Sequence, residues 1–518
     1  MQQRTALERD ITAFTALPTP TTVQDAATWL TTFEQLLRAV RGHQAYLKVR
    51  SARDPGDLET ESAYRAVNQM ETPIRDRVTA VVTELGPDRL RQWTTTPALR
   101  DYAYFLEQVS AQSGHRVPPG RTSDIDGSVR PILDGASDKY RQLRTLPGSL
   151  ADHEEEYASL LLSIVRARDQ LAKARSFPDA VDAANFDRGL SQASVDRMLR
   201  AVAASKVYGD YHRIAAGLPR ASALPPFPID SAIGLVLDAE RPVAAGYSDA
   251  FNRLLDPASG RLDICTAPSC DDTGFSVGFS GVLSGAYFGG YTGTLANVMS
   301  VAHESAHAVH RQLMNDHQPH AVYNSGPNYV FESFAIFSEL LFVDHQYRTA
   351  SSDTERERYL NAFLNEATFE VFGSAGETDL EAAIYHETES GHIRVARDLG
   401  DLSRRSLAKY NPAAADQPNT ALYWARNRLY FIDPLYDVNY LYAGVLALNY
   451  FDALERAPTP FATKYVALVE NGFDDSVPSL MKRFLDLDIT DEGRLVTTAT
   501  AFLENRTKAL DTLRSKVH

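Results

Sequence analysis

The sequence predicts a mostly α-helical chain, a two-lobed helical body with a small β-sheet beside one short, histidine-bearing helix. Three observations predict it. Apolar residues recur at three- and four-residue steps over long stretches, seven glycines crowd the span from Gly274 to Gly293, and prolines cluster at only a few points. With 518 residues, 44% of them hydrophobic, the chain can bury a large core. A length prior of about 150 residues per domain allows three units, but one catalytic body with two lobes fits the pattern better.

In chain order, the first long helical pattern runs from Ala26 to Arg50. Val117-Pro118-Pro119-Gly120, with the polar run to Asp134, reads as a surface loop. Helical patterns return over Leu150 to Arg175 and Ser191 to Ala216. The segment Leu218 to Pro228 holds four prolines and marks the expected seam, so residues 1–217 form an N-terminal helical lobe and 218–518 the catalytic lobe. The glycines Gly274, Gly278, Gly281, Gly285, Gly289, Gly290 and Gly293 predict short strands or tight turns with little side chain. Its last part, Ala286 to Tyr291, is expected as an edge strand on which a peptide could be held by main-chain hydrogen bonds.

The next helix is the informative one. From Thr294 to Leu313 the apolar positions Leu295, Val298, Met299, Ala302, Ala306, Val309 and Leu313 form a single buried stripe. That helix carries His303-Glu304-Ser305-Ala306-His307. At about 100° per residue the two imidazoles stand roughly 40° apart and Glu304 roughly 60° beyond His307, so two ligands and a base share one face. This spacing is that of zinc hydrolases, with the histidines on the metal and the glutamate as general base. A catalytic zinc needs a third protein ligand and an open position. Asn328 to Phe342 is a strongly apolar helical run whose only acidic residues are Glu332 and Glu339, seven apart on one face. A carboxylate in such surroundings is costly unless paired or metal-bound. Glu332 is therefore expected as the third ligand, and Glu339 either supports a ligating histidine or ends the helix as an exposed charge.

These residues resemble the M3 metallopeptidases, and within them the oligoendopeptidase F branch. Tyr291-Thr292-Gly293-Thr294-Leu295 followed by the motif and by His310 resembles the family's lead-in and extended histidine pattern, and Glu332-Ser333-Phe334-Ala335, 29 positions after His303, is similar to its glutamate segment. Leu435-Tyr436-Asp437-Val438-Asn439-Tyr440-Leu441-Tyr442 resembles the family's tyrosine-rich loop. The resemblance implies a nearly all-helical body around a deep substrate channel, short unfolded peptides as substrates, and one Zn2+ per chain. It further implies that Tyr436 and Tyr440 donate hydrogen bonds to the oxyanion formed during attack on the scissile carbonyl, a role for which a protonated phenol is suited. Tyr442 is left to packing. The family's histidine just before this loop is missing here, since Ala425 to Leu435 contains none and Arg428 stands near its place. A guanidinium can donate a hydrogen bond but cannot exchange a proton at neutral pH. His386 and His392 fall in a segment resembling a channel-lining helix and are placed outside the metal shell.

The expected activity is that of a zinc metalloendopeptidase acting on internal bonds of short peptides. The alternatives are a zinc protein that binds peptides and cuts them weakly or not at all, and a protease dedicated to maturing one peptide. A net charge of −15 without a basic cluster argues against nucleic acid or an anionic membrane as partner, and allows a mild preference for cationic peptides. The N-terminal residues lack an apolar export core and no run reaches ~18 apolar residues, so a soluble, cytoplasmic chain is expected. Cys265 and Cys270 are expected as free thiols.

Overall fold

The computed structural model describes residues 2–216, 218 and 226–517 as long helices around one small sheet. Most of the expected seam, residues 219–225 of 218–228, lies outside the described residues, as does residue 217. The helix Val23–Arg53 starts where the Thr22 side chain accepts the Asp25 amide. The expected loop after Val117 is instead helical, as Pro119–Ser128 and Arg130–Arg144. Proline at the first helical turn has no amide to leave unsatisfied, so Pro119 and Pro131 open these helices rather than prevent them. The continuous pattern from Ser191 to Ala216 is broken into Gln192–Ala203 and Val207–Ala215. Between them Ser205 turns its hydroxyl to the Val207 amide, the local bond with which serine competes against a helix ladder.

The sheet has three strands in the order β1-β3-β2, with β1 Leu262–Cys265, β2 Gly274–Phe279 and β3 Val282–Gly289. β2 and β3 form an antiparallel hairpin, and β1 lies parallel to β3 with Leu262 opposite Ala286. The expected edge strand is thus corrected: Ala286 to Gly289 lie in the central strand, and β2 is the edge next to the motif helix. The glycines permit this crowding. A Cβ on Gly289 would stand 1.7 Å from the Asp271 carbonyl oxygen, so only glycine lets the 271–272 backbone pass across the end of β3. That passage also joins Cys265 to Cys270 in a disulfide, with Cα atoms 6.3 Å apart, in place of the two free thiols expected. Their separation of five residues spans a turn closed by the bond from the Cys270 amide to the Ala267 carbonyl.

The centre of the main core is the helix Asn328–Thr349. It is apolar on every side, and residues from Tyr329 to Asp344 are buried without a break. It packs on the motif helix Leu295–His317 and on Asp437–Arg456. A second apolar cluster joins Tyr140, Tyr157 and Leu161 to Trp424, Phe431 and Leu435, just before the tyrosines. A third joins Phe14, Trp29, Phe33 and Val78 to Phe279 of β2, tying the first helices to the sheet. Burial of each such side chain contributes about 1.5–3 kcal/mol. No helix among the described residues is long and apolar enough to cross a membrane.

Candidate metal centre

The motif helix begins at a capping box, with the Thr294 hydroxyl accepting the Asn297 amide and the Asn297 side chain accepting the Thr294 amide. The turn that feeds it is held where the Phe227 amide donates to the Gly293 carbonyl at 2.8 Å and the Tyr291 hydroxyl donates to the Phe227 carbonyl at 2.8 Å. From this anchored start the helix carries His303, Glu304 and His307 toward the neighbouring helix and β2.

Three of the expected residues meet. Glu332 Oε2 lies 3.3 Å from His303 Nε2 and 3.4 Å from His307 Nε2. One ligating atom from each of His303, His307 and Glu332 lies within 4.8 Å of the others. Yet Glu332 Oε2 is buried and makes no hydrogen bond, and His307 Nδ1 is likewise buried and unpartnered. Lone pairs facing a common point without bonding one another suit a cation. Ligand atoms at ~2.05 Å from a tetrahedral zinc stand about 3.3–3.4 Å apart, and both measured separations from Glu332 match this. The donor set of two imidazoles and a carboxylate fits the metal.

Glu339 acts on the other side of His303. Its Oε2 lies 3.1 Å from His303 Nδ1, so one imidazole spans two glutamates seven residues apart on the facing helix. Glu339 is buried, which removes the exposed helix-end reading. Burial opposes a charged imidazole at His303, but the carboxylates of Glu332 and Glu339 on either side outweigh it and push the ring well above its ordinary value. Burial also raises Glu332, while the His307 and His303 rings hold it far below the usual carboxylate range.

Glu304 faces β2. A Cβ on Gly274 would come within 3.2 Å of Glu304 Cγ, so the strand's first residue leaves just enough room for the glutamate. His310 lies one turn further on, fully inside the core between the rings of Phe331 and Phe334, at 4.8 and 4.6 Å. Burial holds it well below its ordinary value, hence neutral.

The tyrosines sit at a helix start rather than in a loop. Leu435 takes a left-handed conformation with φ 65°, Tyr436 follows as the N-cap, and Tyr440 and Tyr442 lie inside Asp437–Arg456. The Tyr436 hydroxyl donates to Glu332 Oε1 at 2.7 Å, leaving Oε2 for the histidine side. Tyr440 is edge-on to Tyr436 with ring centres 5.3 Å apart. Burial, then the Glu332 charge, raises both phenols far above their ordinary value, so both stay protonated. Tyr442 points elsewhere, packing against Tyr329 at 5.5 Å. Arg428 is exposed, and its charge is felt at Tyr440. His386 pairs with Asp179 and His392 with Glu387, both away from the metal ligands.

Sequence reasoning missed the carboxyls beneath the site. Glu381 Oε1 accepts the Leu435 amide at 2.8 Å and so fixes the strained residue that aims Tyr436. Burial and the neighbouring Glu339 charge push Glu366 up to about 7. Glu370, raised well above the ordinary value by burial and then by Glu366, lies in a π-helical turn, Phe369–Gly373, where the chain passes into Ser374–Glu389. The residue spacing gave no sign of that turn, although π-bulges often mark functional sites.

The helical body thus carries one group, His303, His307 and Glu332, whose ligand atoms could hold a metal ion. The chain is oligoendopeptidase F-like. It is 24% identical over 225 residues to the plasmid-encoded oligoendopeptidase F of Lactococcus lactis subsp. cremoris, a match covering 43% of this chain and 37% of that protein. A solved structure of a candidate peptidase from Chlamydophila abortus superposes with a TM-score of 0.79 at 18% identity, covering 98% of this chain and 96% of that one. Oligoendopeptidase F from Enterococcus faecium superposes with a TM-score of 0.69 at 15% identity, covering 99% and 98%. No family profile matches the chain.

Proposed function

We propose that this chain is a zinc-dependent endopeptidase of the M3 family that hydrolyses internal bonds of short, unfolded peptides. The convergence of His303, His307 and Glu332 on one point, with unbonded lone pairs facing it, carries the reading. The fold likeness to oligoendopeptidases supports peptides as substrates. His303, His307 and Glu332 would hold one Zn2+, which when bound supplies Lewis acidity toward a water and the scissile carbonyl. Glu304, beside the ligands and against β2, takes a proton from the attacking water and delivers it to the leaving amine. Tyr440 donates to the oxyanion, and Tyr436 joins it by exchanging its bond to Glu332. Glu339 orients His303 through Nδ1, leaving Nε2 for the metal. The division into a helical lobe of 1–217 and a catalytic lobe of 218–518 belongs to the same proposal, since every one of these residues falls in the second span.

The test is zinc content measured together with cleavage of a mixed library of short peptides, for the native chain and for Glu304→Gln. The native chain should hold one zinc and cut. The variant should keep the zinc and lose at least a hundredfold in rate. A native chain with zinc and no cleavage would replace this reading with a peptide-binding one, in which Arg428 standing for a histidine is the first suspect.

A further inference from the structure

Three cationic side chains gather along β2 beside Glu304. Lys48, from Val23–Arg53, places its ammonium 4.2 Å from the centre of the Phe275 ring. Arg311, one turn beyond His307, has Nε 3.4 Å from Ser276 Oγ and its guanidinium 5.0 Å over the Phe331 ring. Arg41, two turns before Lys48, lies 5.6 Å over the Phe279 ring. The same strand begins at Gly274, in contact with Glu304. Base and cations thus share the six residues of β2, whose outer edge pairs with no other strand among the described residues.

Carboxylates act on these charges at longer range, with Glu304 and Asp271 felt at Lys48 and Glu304 and Glu332 at Arg311, but direct pairing is sparse. Among the described residues no carboxylate forms an ion pair with Lys48 or Arg311, and Arg41 bonds Glu71 at 2.9 Å while its Nε stays buried and unpartnered. Aromatic faces hold all three cations, which steadies them without neutralising them. Burial lowers Lys48 and the charge of Arg311 lowers it further, just as burial and then Arg41 lower Arg311. Three like charges held together and partly desolvated are costly unless an anion completes the set. In a chain of net charge −15 these three cations, set beside Glu304, are a local concentration of positive side chains.

We propose that Lys48, Arg41 and Arg311 form a subsite for a carboxylate of the bound peptide, either its free C-terminus or an Asp or Glu side chain close to the scissile bond. The subsite rests on the peptidase reading for its place in catalysis and on the strand-edge geometry for its chemistry. It makes the enzyme choose acidic ends or neighbours, against the cationic preference that bulk charge alone predicts.

Binding separates the two readings. Labelled peptides in three matched forms, free acid, C-terminal amide, and amide with one internal Asp, are titrated by fluorescence anisotropy against zinc-loaded Glu304→Gln. The free acid or the Asp peptide should bind about tenfold tighter than the plain amide, the value expected for one charge-assisted bond. Which of the two gains identifies the source of the carboxylate. Adding Lys48→Gln should bring the favoured peptide down to the amide, and Lys48→Arg should restore the gap. Equal affinity for all three forms overturns the subsite. So does an equal loss for every form in Lys48→Gln, which would assign the lysine to holding the strand rather than to a carboxylate of the peptide. A native chain that binds acids tightly and cuts nothing would sink the peptidase reading and leave the subsite standing.

Discussion

Replacing Glu339 by alanine tests how the metal centre is oriented. The carboxylate lies 3.1 Å from His303 Nδ1, while Nε2 on the opposite side of the ring faces Glu332 at 3.3 Å. Without Glu339 the ring loses the partner that fixes its tautomer with Nε2 free, and the ligand becomes less basic. A hydrogen bond to a charged group contributes about 1.5–3 kcal/mol, which corresponds to roughly 10- to 150-fold in zinc affinity. Glu339→Gln keeps an oxygen acceptor but no charge, so its loss should fall between those of the native chain and the alanine variant. The assay is competition for zinc against a chromophoric chelator at fixed pH, with circular dichroism to establish that each variant folds. Affinity unchanged within threefold in a folded Glu339→Ala would refute the reasoning. So would equal losses in the two variants, which would make Glu339 a packing residue.

Tyr436→Phe removes the bond to Glu332 Oε1 and should weaken zinc by about tenfold as well as slow turnover, whereas Tyr440→Phe should slow turnover with zinc affinity intact; chelator competition beside steady-state kinetics separates them. Because His303 is raised by its two glutamates, the metal must displace a proton, and zinc affinity should rise about tenfold per pH unit through neutrality, read by the same titration. Glu240, buried and bonded to Ser338, is pushed by burial up to about 8 from an unfolded value near 4.5, so the folded chain holds the extra proton and stability falls as pH rises between those values. Glu240→Gln should therefore match the native chain at pH 4 and exceed it by roughly 5 kcal/mol at pH 9, and thermal unfolding curves of the two that stay parallel across that range would refute this. Gly289→Ala should abolish folding or lower the melting temperature by more than 10 °C, because its Cβ would overlap the Asp271 carbonyl oxygen.

The candidate metal centre was legible in the sequence because much of its geometry is local. Residues four apart on one helix share a face, which points to His303 and His307; an acid in an otherwise apolar helix needs a partner, which together with the family resemblance points to Glu332 and leaves Glu339 open. The seven-residue step between Glu332 and Glu339 turned out to be the span of one imidazole. What spacing could not give were contacts between distant segments. Lys48 and Arg41 reach β2 from more than 200 residues away in sequence, and Glu381 fixes Leu435 from 54 residues away. The sheet order failed for a related reason: β1 is only four residues long and pairs in parallel, so no hairpin signal revealed that it would cover β3 and leave β2 outside. The polar, proline-bearing stretch after Val117 was misjudged because proline stops a helix inside it and starts one at its first turn.

The end of the helix Val23–Arg53 is stitched to the sheet. The Asp271 amide donates to the Ala52 carbonyl at 2.9 Å, the Tyr287 hydroxyl lies 3.1 Å from the same oxygen, and Arg53 pairs with Asp263 of β1 at 2.7 Å. The Ala52 carbonyl in the last turn of that helix is thereby satisfied by Tyr287 of β3 and by Asp271 before β2. Lifting the helix away from the strands would break the Asp271 amide bond and the Arg53–Asp263 pair and leave the Tyr287 hydroxyl with the Asp271 carbonyl alone. The C-terminal end of this helix and the three strands therefore belong to one mechanical unit, coupled through main chain, a phenol and an ion pair.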